Sequence, residues 1–316
     1  MCGSKIVFML QAFALLGVCQ VAPHRIEVQT VNGVGQFYDR QTGLPFTPRG
    51  NNFIRLAQEN PYYGGTEVYH STFNVGLYDP NDAENQLAQM QMSGYNTVRV
   101  FTSCCCPGGI GDPSGGLSGA YLANLVDFLK RAGSHGLFVV VTGDSVPETG
   151  GYNNLLPTDP NFVYPNIYYL TQGGVNAYSK FWTDLVTGLA GLNAPFDTVL
   201  GWEVQNEIAF GTNVPPLSLN TGMITTGNGK TYDLSNSASR QAMMDDNLVY
   251  FIDQVRNAIV KVDPTALVTA SFPTPGNQYS TALGLTIRTY PAICVLNRRL
   301  YRPTSISRPW DHFSAD

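Results

Sequence analysis

Charge is scarce in this sequence. Asp, Glu, Lys and Arg make up only 13% of its 316 residues, and the formal net charge is −5. Without a basic surplus to neutralise phosphates, nucleic acid is not expected as a partner. A paired cysteine framework is also missing. The six cysteines are Cys2, Cys19, Cys104, Cys105, Cys106 and Cys294, three of them consecutive, and none forms a Cys-x-x-Cys zinc pattern. Adjacent cysteines can pair with each other or with a distant thiol, and the spacing leaves both open. The histidines His24, His70, His135 and His312 stand singly, so neither a metal site nor a cofactor is expected. No Gly-x-Gly-x-x-Gly follows the first strand, which removes a dinucleotide-binding sheet. No internal repeat or low-complexity linker is visible.

A long apolar run is absent too. Lys5 precedes residues 6–18, apolar except for Gln11, and small Gly17 and Cys19 at the end of the run suit a cleavage site. That run is shorter than the roughly 20 apolar residues needed to span a bilayer. It reads as a secretory signal over residues 1–19, so a secreted, extracellular chain is expected, with no membrane association after cleavage. What the sequence does hold is 43% hydrophobic and 11% aromatic residues, enough to bury a large core. Its polar surface is supplied by Asn, Gln, Ser, Thr, Tyr and Gly, a texture suited to handling neutral sugars.

Past residue 20 a rhythm of strand, loop and helix appears. Residues 46–54, 97–101, 137–142, 198–207 and 267–272 read as strands, and 137–142 is a continuous apolar run of the kind buried on both faces. Residues 81–93, 121–132, 175–188 and 241–262 carry helical spacing. Gly94 and Gly133 follow the first two helices and Asp263-Pro264 ends the last. Residues 226–230 suggest a hairpin turn inside a Gly-, Asn- and Thr-rich insertion. Regular alternation implies parallel βαβ units. Long aromatic-studded loops after the strands fit a (β/α)8 TIM barrel, an α/β class in which about five strand-helix units are present here.

Glycoside hydrolysis needs two carboxyl groups astride the scissile bond, one of them able to hold a proton near neutral pH. Asn206-Glu207 stands where the fourth strand leaves the sheet, the end at which barrels carry chemistry. Strand alternation is expected to send Glu203, Gln205 and Glu207 to one face. A carboxylate as deep as Glu203 calls for a cation, with Arg99 the first choice and Arg49 the second. Trp202, Phe210, Tyr62, Tyr63 and Tyr164 to Tyr169 are candidate sugar-stacking rings. Asp144 and Glu148 either line the cleft or are solvated loop charges.

Together these motifs resemble glycoside hydrolase family 5, the cellulase-like family of retaining barrel glycosidases. The matching residues are Arg49, Gly50 and Asn52 on strand one, and Asn96 with Arg99 on strand two. Gly136 to Val139 matches on strand three, and Trp202, Glu203, Asn206 and Glu207 on strand four, with Val262-Asp-Pro264 after the long helix. The resemblance implies a double-displacement mechanism, with Glu207 as acid/base and Asn206 binding the sugar 2-hydroxyl. Trp202, Arg99, Asn52 and Phe210 complete the expected substrate-binding set. The implied partner is a β-linked polysaccharide or oligosaccharide such as a glucan or mannan, bound by a monomer.

The same resemblance requires a nucleophilic Glu at the end of strand seven, and residues 208–316 contain no Glu. Arg288, Arg298, Arg299, Arg302 and Arg308 instead crowd an aperiodic, Pro-interrupted tail. Shifting the reading frame forward by one nucleotide over residues 297–310 permits a word similar to the family's strand six, provided Thr304 is encoded by ACA. The expected organisation is therefore a signal over 1–19, a partial catalytic barrel over 20–290 and an out-of-frame tail over 291–316. A barrel of five strands would leave sheet edges open, so poor folding is expected. Two other readings are a non-catalytic carbohydrate-binding pseudoenzyme and an unrelated barrel aldolase or isomerase. The latter needs a Schiff-base lysine or a phosphate site at strand ends, and no lysine lies at the end of any of the five strands.

Overall fold

Five parallel strands lie side by side in the order in which the chain makes them. The computed structural model describes residues 22–54, 70–105 and 107–273. The segment 1–19, the tail 291–316, Tyr62, Tyr63 and Cys106 lie outside the described residues. In chain order the strands are β1 (Ile26–Val31), β2 (Val34–Asp39), β3 (Gly50–Asn52), β4 (Thr97–Thr102), β5 (Phe138–Gly143), β6 (Val199–Glu203), β7 (Met223–Thr225), β8 (Thr231–Asp233) and β9 (Val268–Thr269). The sheet order is β3-β4-β5-β6-β9, every pair parallel. An unreversed order has no switch point, which separates a barrel wall from a doubly wound sheet.

The helices α1 (Pro80–Met92), α2 (Gly119–Ser134), α3 (Asn166–Leu170), α4 (Gln172–Gly191) and α5 (Ser237–Val262) fill the crossovers. The starts of α1, α2, α4 and α5 follow from capping chemistry: the side chains of Asp79, Ser118, Thr171 and Asn236 each accept first-turn backbone N–H groups. For that reason α4 and α5 begin a few residues earlier than apolar spacing alone predicts. Val98, Val100, Val139, Val141, Val199 and Trp202 face this helix layer in one apolar cluster with Leu125, Phe181 and Phe251. Phe138, Val140 and Leu200 form a second cluster on the opposite face. Helices on one side of an all-parallel, sequentially ordered sheet make this the wall of a (β/α)8-type barrel, with five consecutive strands among the described residues. No described helix is long and apolar enough to cross a membrane.

The β1–β2 hairpin lies outside every element expected from the sequence. Its signal was Asn32-Gly33, both at positive φ (53° and 80°), the conformation a two-residue hairpin turn requires. The hairpin serves the barrel: Ile26, Phe37 and Phe46 pack on Phe138, Val140 and Leu200 and cover the interior of the sheet. Beside it His24 is fully buried, its Nε2 2.6 Å from Asp263 Oδ2. The expected turn at 226–230 joins β7 to β8, which pair antiparallel.

Arg25 pins the hairpin through Asp39, its Nε donating to Oδ1 and Oδ2 at 2.9 and 3.0 Å. These hydrogen bonds hold the Asp39 carboxyl below its usual range. A depressed pKa contributes stability above the unfolded value, near 3.9, and loses it as pH falls through the folded value. Thermal melts of the protein and Asp39→Asn should therefore differ most above about pH 4 and converge as the pH drops further.

Candidate active site

Toward the C-terminal ends of these strands the inner face carries polar side chains beside Phe101. Strand alternation places Arg99 of β4, Thr142 of β5 and Glu203 of β6 on the sheet's inner face. The Glu203 side chain is only 5% exposed, so its charge is satisfied locally. Arg99 donates from Nε to Glu203 Oε2 and from Nη2 to Oε1, both at 2.7 Å, and Thr142 Oγ1 adds a bond of 2.9 Å to Oε2. This is the bidentate fork that a planar guanidinium makes to a carboxylate. Arg99 is thus the partner; Arg49, the second choice, is exposed.

Arg99 does a second job. Its Nη2 also donates to Asn206 Oδ1 at 2.9 Å, while the Asn206 backbone N–H donates to Gly143 O at 2.7 Å. One buried carboxylate therefore fixes one guanidinium, which fixes the Asn206 amide. The next residue, Glu207, is exposed and sits at φ 50°, a left-handed conformation uncommon for a residue with a Cβ. Its backbone N–H donates to Ser271 Oγ at 3.0 Å, so the turn is held by the chain after β9. Backbone strain of this kind clusters at functional sites.

Three expectations need correction. Gln205 does not share the inner face: it accepts from the Tyr178 hydroxyl on α4 and its Nε2 donates to Asp144 O at 2.6 Å. Regular strand geometry ends at Glu203, so period two no longer applies beyond it. Trp202 has no exposed surface. It faces the helix layer, packs edge-on to Phe196 and Trp182, and donates from Nε1 to Asp263 Oδ2 at 2.8 Å; it is a core residue, closed to a sugar ring. Phe210 is likewise buried, 3% exposed and edge-on to Tyr169. Of the third-loop tyrosines, Tyr168 and Tyr169 are buried and Tyr164 is 69% exposed.

Asn52 of β3 lies in register with Arg99. It is half-buried, and its Oδ1 has no hydrogen-bond partner among the described residues. Phe101, two residues beyond Arg99, carries the Arg99 guanidinium 4.2 Å from its ring centre and a stacked His70 ring at 4.1 Å. His70 Nδ1 lies 3.0 Å from Asp144 Oδ1, and Cys104 Sγ reaches Asp144 Oδ2 at 3.7 Å. Asp144 is thus built into the mouth of the sheet, whereas Glu148 is an exposed loop charge. Sequence reasoning missed Phe101 and His70 as site residues. Alternation from Arg99 could have found Phe101; nothing local could have found His70. Among the described residues no group of three or more His, Cys, Asp or Glu is arranged to hold a metal ion.

No protein-family model matches the chain, and no curated protein does. Solved structures do match. An endo-1,4-β-mannanase from Rhizomucor miehei is 15% identical with a TM-score of 0.49, over 78% of this chain and 60% of that one. An exo-β-1,4-mannosidase from Opitutaceae bacterium strain TAV5 is 17% identical at a TM-score of 0.47, over 77% of this chain and 35% of that one. An endocellulase from Pyrococcus horikoshii is 20% identical at 0.41, over 79% and 58%. The chain thus spans between about a third and three-fifths of the length of these structures. Sheet order and one-sided helix packing define the fold without them.

Proposed function

We infer that this chain carries the acid/base half of a retaining glycoside hydrolase acting on a β-linked glucan or mannan, secreted as a monomer. The observation that carries the reading is the Arg99–Glu203–Asn206 network, which orients an amide beside an exposed Glu207 where β6 leaves the sheet. In that arrangement Glu207 protonates the leaving oxygen as a second, nucleophilic carboxylate outside this network takes the glycosyl group, and then deprotonates the water that displaces that carboxylate, while Asn206 hydrogen-bonds the sugar 2-hydroxyl. Asn52, whose Oδ1 has no partner among the described residues, and the exposed Tyr164 ring are the substrate contacts this reading favours.

A second reading has its own observation. The retaining mechanism needs a nucleophilic carboxylate, and residues 208–316 offer no Glu. A protein that binds β-linked oligosaccharides without cleaving them would have the same network. Incubation with β-1,4-mannan and β-1,4-glucan, following reducing ends and calorimetric binding of the oligosaccharides, separates the two. Reducing ends released with retention of anomeric configuration support hydrolysis. Binding without release supports the second reading, and neither signal rejects both.

A further inference from the structure

The left-handed backbone of Glu207 has its cause in the peptide bond that precedes it. That peptide plane is gripped at both ends. Its carbonyl, Asn206 O, accepts from Gln205 Nε2 at 2.9 Å, and its N–H, on Glu207, donates to Ser271 Oγ at 3.0 Å. The peptides on either side are tied as well. Asn206 N–H donates to Gly143 O at 2.7 Å, and Ile208 N–H donates to Ser271 O at 2.9 Å.

Both grips are themselves fixed from outside the turn. Gln205 is buried, its Oε1 accepts from the Tyr178 hydroxyl on α4, and its Nε2 donates a second time, to Asp144 O at 2.6 Å. Exchanging the oxygen and nitrogen of this amide would set its oxygen against two carbonyls, so one orientation is selected. Ser271 is held by its own backbone, its N–H donating to Gln205 O at 3.4 Å. Two side chains from different segments thus meet the same peptide, one on its oxygen and one on its hydrogen.

We propose that Gln205 and Ser271 are a pair of positioning residues, which clamp the Asn206–Glu207 peptide and so set the direction in which the Glu207 carboxyl leaves the turn. The inference rests on the reading of Glu207 as acid/base. A residue with a Cβ at φ 50° persists only where its surroundings fix it, and here the clamp does so. A general acid must reach the leaving oxygen within hydrogen-bond distance, and a misplacement of about 1 Å can cost on the order of 100-fold in rate. The Asn206 side chain is held separately by Arg99. Loosening the clamp therefore disturbs the proton donor and leaves the sugar-binding amide in place.

The test uses the full chain with Ser271→Ala, Ser271→Thr and Gln205→Met. Ser271→Thr keeps the hydroxyl, and Ser271 is only half-buried, so its variants keep the test open if Gln205→Met folds poorly. Two readouts are taken. The first is amide hydrogen exchange at Glu207 by NMR on protein labelled with 15N-glutamate, the resonance being identified by its loss in Glu207→Gln. The second is kcat and KM on β-1,4-linked oligosaccharides. Ser271→Ala and Gln205→Met should speed exchange at Glu207 by about tenfold and lower kcat by about 10–100-fold with KM unchanged, while Ser271→Thr matches the parent in both. Unchanged exchange in Ser271→Ala and Gln205→Met overturns the clamp. Faster exchange with unchanged kcat, a rise in KM alone, or equal losses in Ser271→Thr and Ser271→Ala overturns the positioning role. A parent without turnover rejects the hydrolase reading alone, because the exchange comparison involves no sugar and still decides the clamp.

Discussion

Replacing Arg99 with Met lowers the stability of the protein by about 3–5 kcal/mol, the cost of leaving a buried carboxylate without its partner. Among the described residues Glu203 accepts two side-chain hydrogen bonds from Arg99 and one from Thr142, a neutral donor. The effect is measured by denaturant unfolding, read from the midpoint with an unchanged slope. The double variant Arg99→Met/Glu203→Leu separates the cost of the orphaned charge from the worth of the pair. Without a buried charge, much of the lost stability should return. Equal losses in the single and double variants would show that packing by the arginine stem, rather than the ion pair, is what matters. In either variant Asn206 loses the donor on its Oδ1, so sugar binding should weaken even where folding recovers.

Glu207→Gln has the opposite profile. The residue is exposed and past the end of β6, so stability should stay within about 0.5 kcal/mol of the parent. The amide cannot shuttle a proton, and turnover of β-linked oligosaccharide should fall about 10²–10⁴-fold, the usual contribution of a positioned general acid or base. Binding should persist, because the amide keeps the size and most of the polarity of the carboxyl. A chain that only binds sugar would show unchanged affinity and no turnover to lose, and that pattern removes Glu207 from the acid/base role. Loss of stability on this substitution would instead make Glu207 a structural residue of the turn.

Local pattern was enough for the alternation of strands and helices. The apolar run of β5, the 3.6-residue spacing of α2 and α5 and the capping residues before the helices are determined by side chains a few positions apart. The fork between Arg99 and Glu203 was legible for a related reason. A carboxylate at an inward strand position must find a cation, and few cations share that face, so charge and period together nearly select the partner. The β1–β2 hairpin left a readable trace in Asn32-Gly33, but its role as a cover for the sheet interior depends on where β5 and β6 lie.

Tertiary structure alone decided which aromatics are available. Trp202 and Tyr164 are both aromatic and both near strand or loop ends, yet one is sealed against Phe196 and Trp182 and the other is open. Burial is set by what another element places on top, and for Trp202 that includes Asp263, sixty-one residues away in sequence. The same holds for His70 against Asp144 and for Ser271 under Glu207. The sequence by itself determined the parallel strand order and the inward charge pair, because both follow from period and electrostatics along short segments. The contents of the site mouth were decided by contacts between loops, which no local period encodes.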